Sequence, residues 1–150
     1  MIWKPHVTVA AVIENQQRFL LVEEQVSSGL AFNQPAGHLE EGETLIEAIK
    51  REVLEETAWQ FEPEKLMSIQ LWRKNSEADS FLRVCFSGNV HSHNREQCLD
   101  EGIVQTHWLT RDEVAEKASL LRSSLVLESI DEYLEGHFYP LSLVRSRLGL

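Results

Sequence analysis

The chain has 150 residues, of which 43% are hydrophobic, and its formal net charge is −10. This length predicts one domain spanning residues 1–150, and the apolar fraction excludes global disorder. The acidic excess disfavours duplex nucleic acid as a partner, because the phosphate backbone would be repelled. Two cysteines are too few for a disulfide scaffold, and no apolar run approaches the ~18 residues of a membrane span. A cytoplasmic location is therefore expected.

The first third of the chain is rich in β-branched and apolar residues. Residues 6–13 and 18–24 are separated by the polar residues 14–17, and this pattern predicts a hairpin. Residues 25–35 are expected to form a loop with one short strand. A helix is predicted from about residue 44 to residue 57, because apolar residues recur there at three- and four-residue spacings.

The second half of the chain alternates strands with a helical end. Pro63 is expected to interrupt the chain, and strands are predicted at 66–74, 80–90 and 103–109. A longer helix is predicted at roughly 123–135, with Leu127, Ile130 and Leu134 on its inner face. Strands on both sides of a central helix indicate a layered α/β or α+β domain.

Half of the net charge lies in one short segment. Residues 40–56 carry seven acids and two bases. On the predicted helix, Glu52, Glu55 and Glu56 are three and four residues apart, so their carboxylates share one face. The alternatives are a solvated helix face and a cation site. Like charges repel at this spacing unless a cation lies among them, and oxygen donors suit Mg2+ or Mn2+ better than zinc.

Fixed spacings around this helix match the Nudix box, which reads Gly, five residues, Glu, seven residues, then Arg-Glu-aliphatic-any-Glu-Glu. The matching residues are Gly37, Glu43, Arg51, Glu52, Val53, Glu55 and Glu56. Two later positions depart, because Ala58 stands where the pattern has Gly and Trp59 stands where it has an aliphatic residue. If residue 58 needs left-handed geometry, Ala58 is expected to be strained by ~1 kcal/mol or more.

The resemblance to the Nudix hydrolase family extends beyond the box. The segments KPHVTVA, NQPAGHLE, LRSSLV and YPL resemble the bacterial NudJ-type Nudix phosphatases. This resemblance implies the Nudix fold, an α/β (α+β) mixed β-sheet sandwiched between helices. It also implies hydrolysis of phosphoanhydride bonds in nucleoside tri- and diphosphates and in the pyrimidine diphosphate precursor of thiamine. The reaction is expected to use a metal-activated water.

The resemblance assigns roles to the box residues. Glu52, Glu55 and Glu56, with the carbonyl of Gly37, are expected to bind Mg2+, with Mn2+ as the other candidate metal. The catalytic set also includes two orienting residues, Arg51 and Glu43. A further metal ligand is expected from a later loop, where Asp100 and Glu101 are both candidates and Glu101 is the one assigned.

Four residues outside the acidic face are candidates for binding substrate. Trp72 and Phe81 are expected to stack on a base, and the alternative is ordinary core packing. Arg83 is a candidate phosphate clamp, whose alternative is a surface salt bridge. His38 is expected to contact a phosphate or to serve as an acid, and its alternative is a role in loop structure only.

Two rival functions remain at this stage. The first is a Nudix pyrophosphatase acting on a nucleoside diphosphate sugar or a dinucleoside polyphosphate. The second is a ligand sensor or RNA-associated module without turnover. Such a module would usually lack one or more box acids, and this chain has all of them. The expected partner is therefore a small molecule, with neither nucleic acid nor membrane, and the expected state is a monomer or small homo-oligomer.

Overall fold

A computed structural model describes residues 1–149 and shows a mixed sheet of eight strands packed between helices. The strands are β1 (His6–Asn15), β2 (Arg18–Val26), β3 (Gly29–Asn33), β4 (Ala36–His38), β5 (Gln60–Arg73), β6 (Ser80–His91), β7 (Ile103–Thr110) and β8 (Tyr139–Pro140). The helices are α1 (Leu45–Thr57), α2 (Arg111–Glu116) and α3 (Leu125–Leu134). This arrangement confirms the expected fold class.

Strand β1 organises the sheet. It runs parallel to β6 and antiparallel to β4, and it forms the predicted hairpin with β2. The hairpin turns at Gln16 and Gln17, which both have positive φ, as a two-residue turn between twisted strands requires. Strand β5 extends the sheet beyond β6, while β2 also pairs with β3 and β7.

The alternation of β1 gives the sheet two apolar faces. One face packs against α1, and its buried cluster includes Val9, Ala11, Ile13, Ala48, Ile49 and Val53. The other face packs against α2 and α3, and its buried cluster includes Ala10, Val12, Val114, Val126 and Ile130. Because both faces are covered, successive residues of β1 are buried rather than alternately buried and exposed.

Local signals set both ends of α1. Thr44 and Glu47 form a reciprocal capping box at its start, where the Thr44 hydroxyl accepts the Glu47 N–H and the Glu47 carboxylate accepts the Thr44 N–H. The helix ends at Ala58, whose φ of 63° and ψ of 15° are left-handed. Residue 58 thus has the left-handed geometry on which the expected strain depends, and Ala58 occupies a conformation that favours glycine.

Two details of the sequence prediction are wrong. Pro63 does not interrupt the chain but lies within β5, at a shift in the β5–β6 register between Pro63 and Lys65. A bulge tolerates proline because the ladder hydrogen bond is already lost there. Leu134 is exposed rather than on the inner face of α3, because this helix buries Val126, Ser129 and Ile130 instead.

Within residues 1–149, no helix combines the length and hydropathy needed to cross a lipid bilayer.

Candidate active site

Three carboxylates converge beside the C-terminal half of α1. Glu52, Glu55 and Asp100 each offer one oxygen, and these oxygens all lie within 4.8 Å of one another. Glu52 is only 8% exposed, whereas Glu55 is half-buried and Asp100 is exposed. A group of hard oxygen donors that is buried on one side and open on the other suits a divalent cation that keeps some of its water.

The loop before β7 places Asp100 in this group. Its backbone is tied to the last turn of α1, where most carbonyls lack partners within the helix. The Asp100 N–H donates to the Glu55 carbonyl at 2.9 Å, and the Asn94 N–H donates to the Ala58 carbonyl at 3.0 Å. The Gln97 side chain donates to the Leu54 carbonyl at 2.6 Å. Of the two loop acids, Asp100 therefore lies with the helix carboxylates.

Glu101 is the acid assigned from the sequence, and the structure does not place it in this carboxylate group. Its side chain is exposed, and the group formed within residues 1–149 contains Asp100 instead. The physical reason is the hydrogen bond from the Asp100 N–H to the Glu55 carbonyl, which directs residue 100 towards α1. Asp100 thus replaces Glu101 as the candidate loop ligand.

Gly37 allows the carboxylate of Glu52 to approach the backbone of β4. A Cβ built at residue 37 would overlap both the carboxyl carbon and the carboxylate oxygens of Glu52. Gly37 is held in place by pairing with Val9 of β1. The glycine of the box is therefore required by close contact with a glutamate of the same box.

Glu56 lies at the inner end of the acidic face and is 6% exposed. Its carboxylate accepts the Ala36 N–H at 2.8 Å. Burial is the main cause that raises the pKa of Glu56 to about 9; the Ala36 N–H opposes this rise, and the nearby charges of Glu52, Glu24 and Asp100 add to it. Burial also raises the pKa of Glu52. A bound cation would offset both effects by favouring the ionised carboxylates.

Arg51 connects the acidic residues of the box. Its guanidinium donates to both oxygens of Glu43, at 2.9 and 2.6 Å, and to Glu52 at 2.7 Å. It also donates to Glu55 at 3.3 Å and to the carbonyl of His38 at 3.0 Å. The bidentate contact holds the pKa of Glu43 below its ordinary value. Arg51 therefore orients two of the converging carboxylates and ties α1 to β4.

A cavity of about 530 Å³ adjoins this acidic group at β4, where Ala36 and Gly37 line it. The four residues predicted to bind substrate, His38, Trp72, Phe81 and Arg83, all line the same cavity. Trp72 and Phe81 are half-buried and belong to neither buried cluster of the core, so the core-packing alternative is wrong. Their ring centroids are 6.2 Å apart with planes tilted by 45°, and the Phe81 ring also stacks on His6 at 5.0 Å, so Trp72 and Phe81 form a bent aromatic wall.

Arg83 is buried, which neither the phosphate clamp nor the surface salt bridge considered from the sequence anticipated. Its side chain is 7% exposed and donates to Ser129 at 3.2 Å and to the side-chain oxygen of Gln34. The surface salt bridge considered from the sequence is therefore wrong. Whether Arg83 contacts a phosphate stays a prediction.

Glu24 and Gln34 are among the polar residues of the cavity region that sequence reasoning missed. Glu24 lines the cavity and accepts from Arg122 at 3.2 Å, and burial raises its pKa. Gln34 is 1% exposed and supports Arg83. Two features of the sequence could have indicated these residues. Glu24 belongs to a pair of acids that follows an apolar run, and Gln34 directly precedes Pro35.

Comparison with known proteins agrees with this geometry. The NUDIX domain model matches residues 4–127. The chain is 41% identical over 142 residues to Phosphatase NudJ of Shigella boydii and 40% identical over 142 residues to Phosphatase NudJ of Escherichia coli, and each alignment covers 95% of this chain and 92% of the relative.

A solved structure, the NUDIX hydrolase from Nitrosomonas europaea, is 46% identical and superimposes with a TM-score of 0.93. The match covers 96% of this chain and 98% of that one. Nudix hydrolases generally use divalent metals, and the group of Glu52, Glu55 and Asp100 fits that chemistry. The chain belongs to the NUDIX domain family and is a Nudix hydrolase, an enzyme that acts on pyrophosphate bonds.

Proposed function

We propose that this enzyme hydrolyses phosphoanhydride bonds in nucleoside tri- and diphosphates and in the pyrimidine diphosphate precursor of thiamine, with Mg2+ as its metal and Mn2+ as a substitute. The observation that carries this proposal is the position of the carboxylate group of Glu52, Glu55 and Asp100 at the edge of a cavity with an aromatic wall. The similarity to Phosphatase NudJ over 95% of the chain supports a phosphatase reaction.

The metal ligands in this proposal are Glu52, Glu55, Glu56 and Asp100, together with the carbonyl of Gly37. When bound, the cation supplies an acidified water and offsets the charge of the phosphates. Arg51 keeps the carboxylates of Glu52 and Glu55 oriented, and Glu43 fixes the guanidinium of Arg51. The N–H of Ala36 orients Glu56 in the same way.

The cavity accommodates the rest of the substrate in this proposal. Trp72 and Phe81 provide flat apolar surfaces on which a base or pyrimidine ring can stack. His38 follows Gly37 at the boundary between the acidic group and the cavity, close to the expected phosphates. Arg122 and Lys74 add positive charge to the lining. The phosphates thus lie towards β4, and the ring lies towards the aromatic wall.

A hydrolysis panel tests the proposal. The panel contains ATP, GTP, CTP and UTP, their diphosphates and the thiamine-precursor pyrimidine diphosphate, with orthophosphate and pyrophosphate measured separately. We expect orthophosphate as a product and kcat/KM values within about tenfold across the bases, since all four bases can stack on the same wall. Activity confined to nucleotide sugars would reject the proposal and leave the Nudix hydrolase assignment intact.

One observation favours a second candidate, a nucleoside diphosphate sugar or a dinucleoside polyphosphate as substrate. A second cavity of about 670 Å³ lies next to the first and shares Trp72, Lys74, Arg122 and Ser123 with it. A longer substrate could extend across Trp72 into this space. Adding UDP-glucose and diadenosine tetraphosphate to the panel separates the candidates, because the first proposal predicts slower hydrolysis of both than of CTP.

A further inference from the structure

We propose that Arg83 determines specificity by donating hydrogen bonds to an acceptor atom on the heterocyclic ring of the substrate, rather than to its phosphates. This inference rests on the proposed nucleotide or pyrimidine substrate and identifies the group that recognises its ring. It separates the cavity into a phosphate end at β4 and a ring end at Arg83.

The first argument is that Arg83 is a buried cation with neutral partners. Its hydrogen bonds within residues 1–149 go to a hydroxyl, that of Ser129, and to an amide oxygen, that of Gln34. The two carboxylates that line the cavity have partners of their own, because Glu24 accepts from Arg122 and Asp79 lies 3.3 Å from a ring nitrogen of His6. A guanidinium has five N–H donors, so those not used by Ser129 and Gln34 are available to a ligand in the cavity.

The second argument is that Arg83 is already oriented before any ligand binds. Gln34 is 1% exposed and Ser129 is also 1% exposed, so both partners are fixed in the interior. Holding the guanidinium in one orientation reduces the entropy that a ligand contact would otherwise cost. A buried cation whose charge is not paired is costly to the fold, and such a group gains most from a well-placed acceptor.

The third argument is the distance between Arg83 and the acidic group. In the sheet, Thr8 of β1 pairs with His38 of β4 on one side and with Arg83 of β6 on the other. Neighbouring strands are ~4.8 Å apart, so the backbone of Arg83 is about 10 Å from β4. The residues that adjoin the acidic group, Ala36 and Gly37, are in β4. The Arg83 backbone is therefore two strand spacings from Ala36 and Gly37, whereas Phe81 is only two residues away on the same strand.

The fourth argument is the position of the aromatic wall. Phe81 precedes Arg83 by two residues on β6, so both side chains point to the same face of the sheet. Trp72 is the cross-strand partner of Phe81. Because the planes of Phe81 and Trp72 are tilted by 45°, a substrate ring stacks on Trp72 and lies beside Phe81, with one edge towards Arg83 on the same face of the sheet.

The chemistry of Arg83 fixes the kind of ring that it selects. A guanidinium donates and cannot accept, so it requires a ring nitrogen or a carbonyl oxygen on that edge. All four common bases and an aminopyrimidine carry such acceptors. Arg83 therefore admits every natural base, which agrees with a broad nucleotide profile, and discriminates against a ring that stacks but has no acceptor.

The experiment compares CTP with an analogue that has a phenyl ring in place of cytosine. The phenyl ring stacks on an aromatic wall but has no acceptor atom. In the unmodified enzyme we expect kcat/KM for CTP to exceed that for the analogue by at least about tenfold, mainly through KM, because a hydrogen bond to a charged donor is lost. In Arg83→Gln we expect CTP to fall to the level of the analogue, whose own kcat/KM stays within about twofold. In Arg83→Lys, which keeps the charge but loses the planar fork, an intermediate ratio is expected.

A control variant makes the result specific. Arg18→Gln removes an arginine that pairs with Glu113 and lines neither of the two cavities, and it should leave the CTP-to-analogue ratio unchanged. Equal losses for CTP and the analogue in Arg83→Gln would overturn the inference, since a phosphate contact or a purely structural role affects both substrates alike. If Arg83→Gln does not fold, equal kcat/KM values for the two substrates in the unmodified enzyme overturn it.

A binding measurement separates this inference from the proposed function. CMP and the corresponding phenyl monophosphate are titrated in EDTA, and binding is followed by the fluorescence of tryptophan, since Trp72 lies in the cavity. Tighter binding of CMP by the unmodified enzyme, lost in Arg83→Gln, supports the role of Arg83 even if no CTP is hydrolysed. Equal binding of the two monophosphates overturns that role even if CTP is hydrolysed.

Discussion

The carboxylate of Glu52 occupies the space that a side chain at Gly37 would need. We predict that Gly37→Ala lowers kcat by about 100-fold or more, because the added methyl displaces Glu52 and misplaced catalytic geometry is costly at the scale of 1 Å. The control is Gly149→Ala, since a Cβ at residue 149 meets no atom within 4 Å. Steady-state kinetics check the prediction, and wild-type kcat in Gly37→Ala would show that the position of Glu52 does not matter.

Asp100 and Glu101 provide a matched pair of neighbouring acids. We predict that Asp100→Asn weakens the affinity for Mg2+ by roughly 10-fold or more, because it removes a charge from the group that contains Glu52 and Glu55. Glu101→Gln should change this affinity by less than about twofold, because an exposed carboxylate outside the group is screened by solvent. The measurement is activity as a function of Mg2+ concentration. The reverse order of effects would restore Glu101 as the ligand.

Glu56→Gln should lower kcat by at least about 100-fold, because it removes a ligand charge while keeping the size of the side chain. The amide oxygen of glutamine can still accept the Ala36 N–H, so the local fold should be kept. Initial rates at saturating Mg2+ measure the effect. A near wild-type kcat would place the metal site elsewhere.

The same substitution has an opposite effect on the metal-free fold. The pKa of Glu56 is raised to about 9 by burial, whereas an unfolded glutamate titrates near ~4.3. The proton bound by folded Glu56 therefore contributes stability that is complete at low pH and is lost as the pH rises towards 9. We predict that Glu56→Gln in EDTA becomes increasingly more stable than the unmodified protein between pH 5.5 and pH 8.5. Urea unfolding checks this, and parallel stability curves for the two proteins would contradict it.

Ala58 is left-handed and 2% exposed. We predict that Ala58→Val lowers the free energy of unfolding by ~2 kcal/mol or more, because a β-branched residue is strained at positive φ and overpacks the site. Ala58→Gly should change it little, since relief of ~1 kcal/mol of strain offsets the loss of a buried methyl worth ~0.8 kcal/mol. Thermal or urea unfolding measures both values. Equal stabilities of the Val and Gly variants would contradict the left-handed geometry.

Residues close in sequence were the most predictable part of the site. Glu52 and Glu55 share one helix face because their spacing fixes their relative positions once the helix forms. The contact between Arg51 and Glu43 follows from the same box pattern and is present at 2.6 to 2.9 Å. The two strands that carry Trp72 and Phe81 were predictable from the sequence. Only the structure shows that these two residues are cross-strand partners.

Contacts between distant segments were not predictable from spacing. The choice of Asp100 over Glu101 depends on a hydrogen bond between the loop and α1, which no local pattern encodes. The burial of Arg83 depends on Gln34 and Ser129, which are 49 and 46 residues away. Pro63 misled the prediction because proline usually ends a strand, and here a bulge accommodates it.

The dependence of nucleotide hydrolysis on a divalent cation tests the account most directly. The enzyme is stripped with excess EDTA, and release of orthophosphate from CTP is followed before and after Mg2+ is added beyond the chelator. The account predicts no turnover in EDTA and full recovery with Mg2+ or Mn2+, because the converging carboxylates of Glu52, Glu55 and Asp100 have no catalytic function without a cation. Undiminished hydrolysis of CTP in excess EDTA would contradict it.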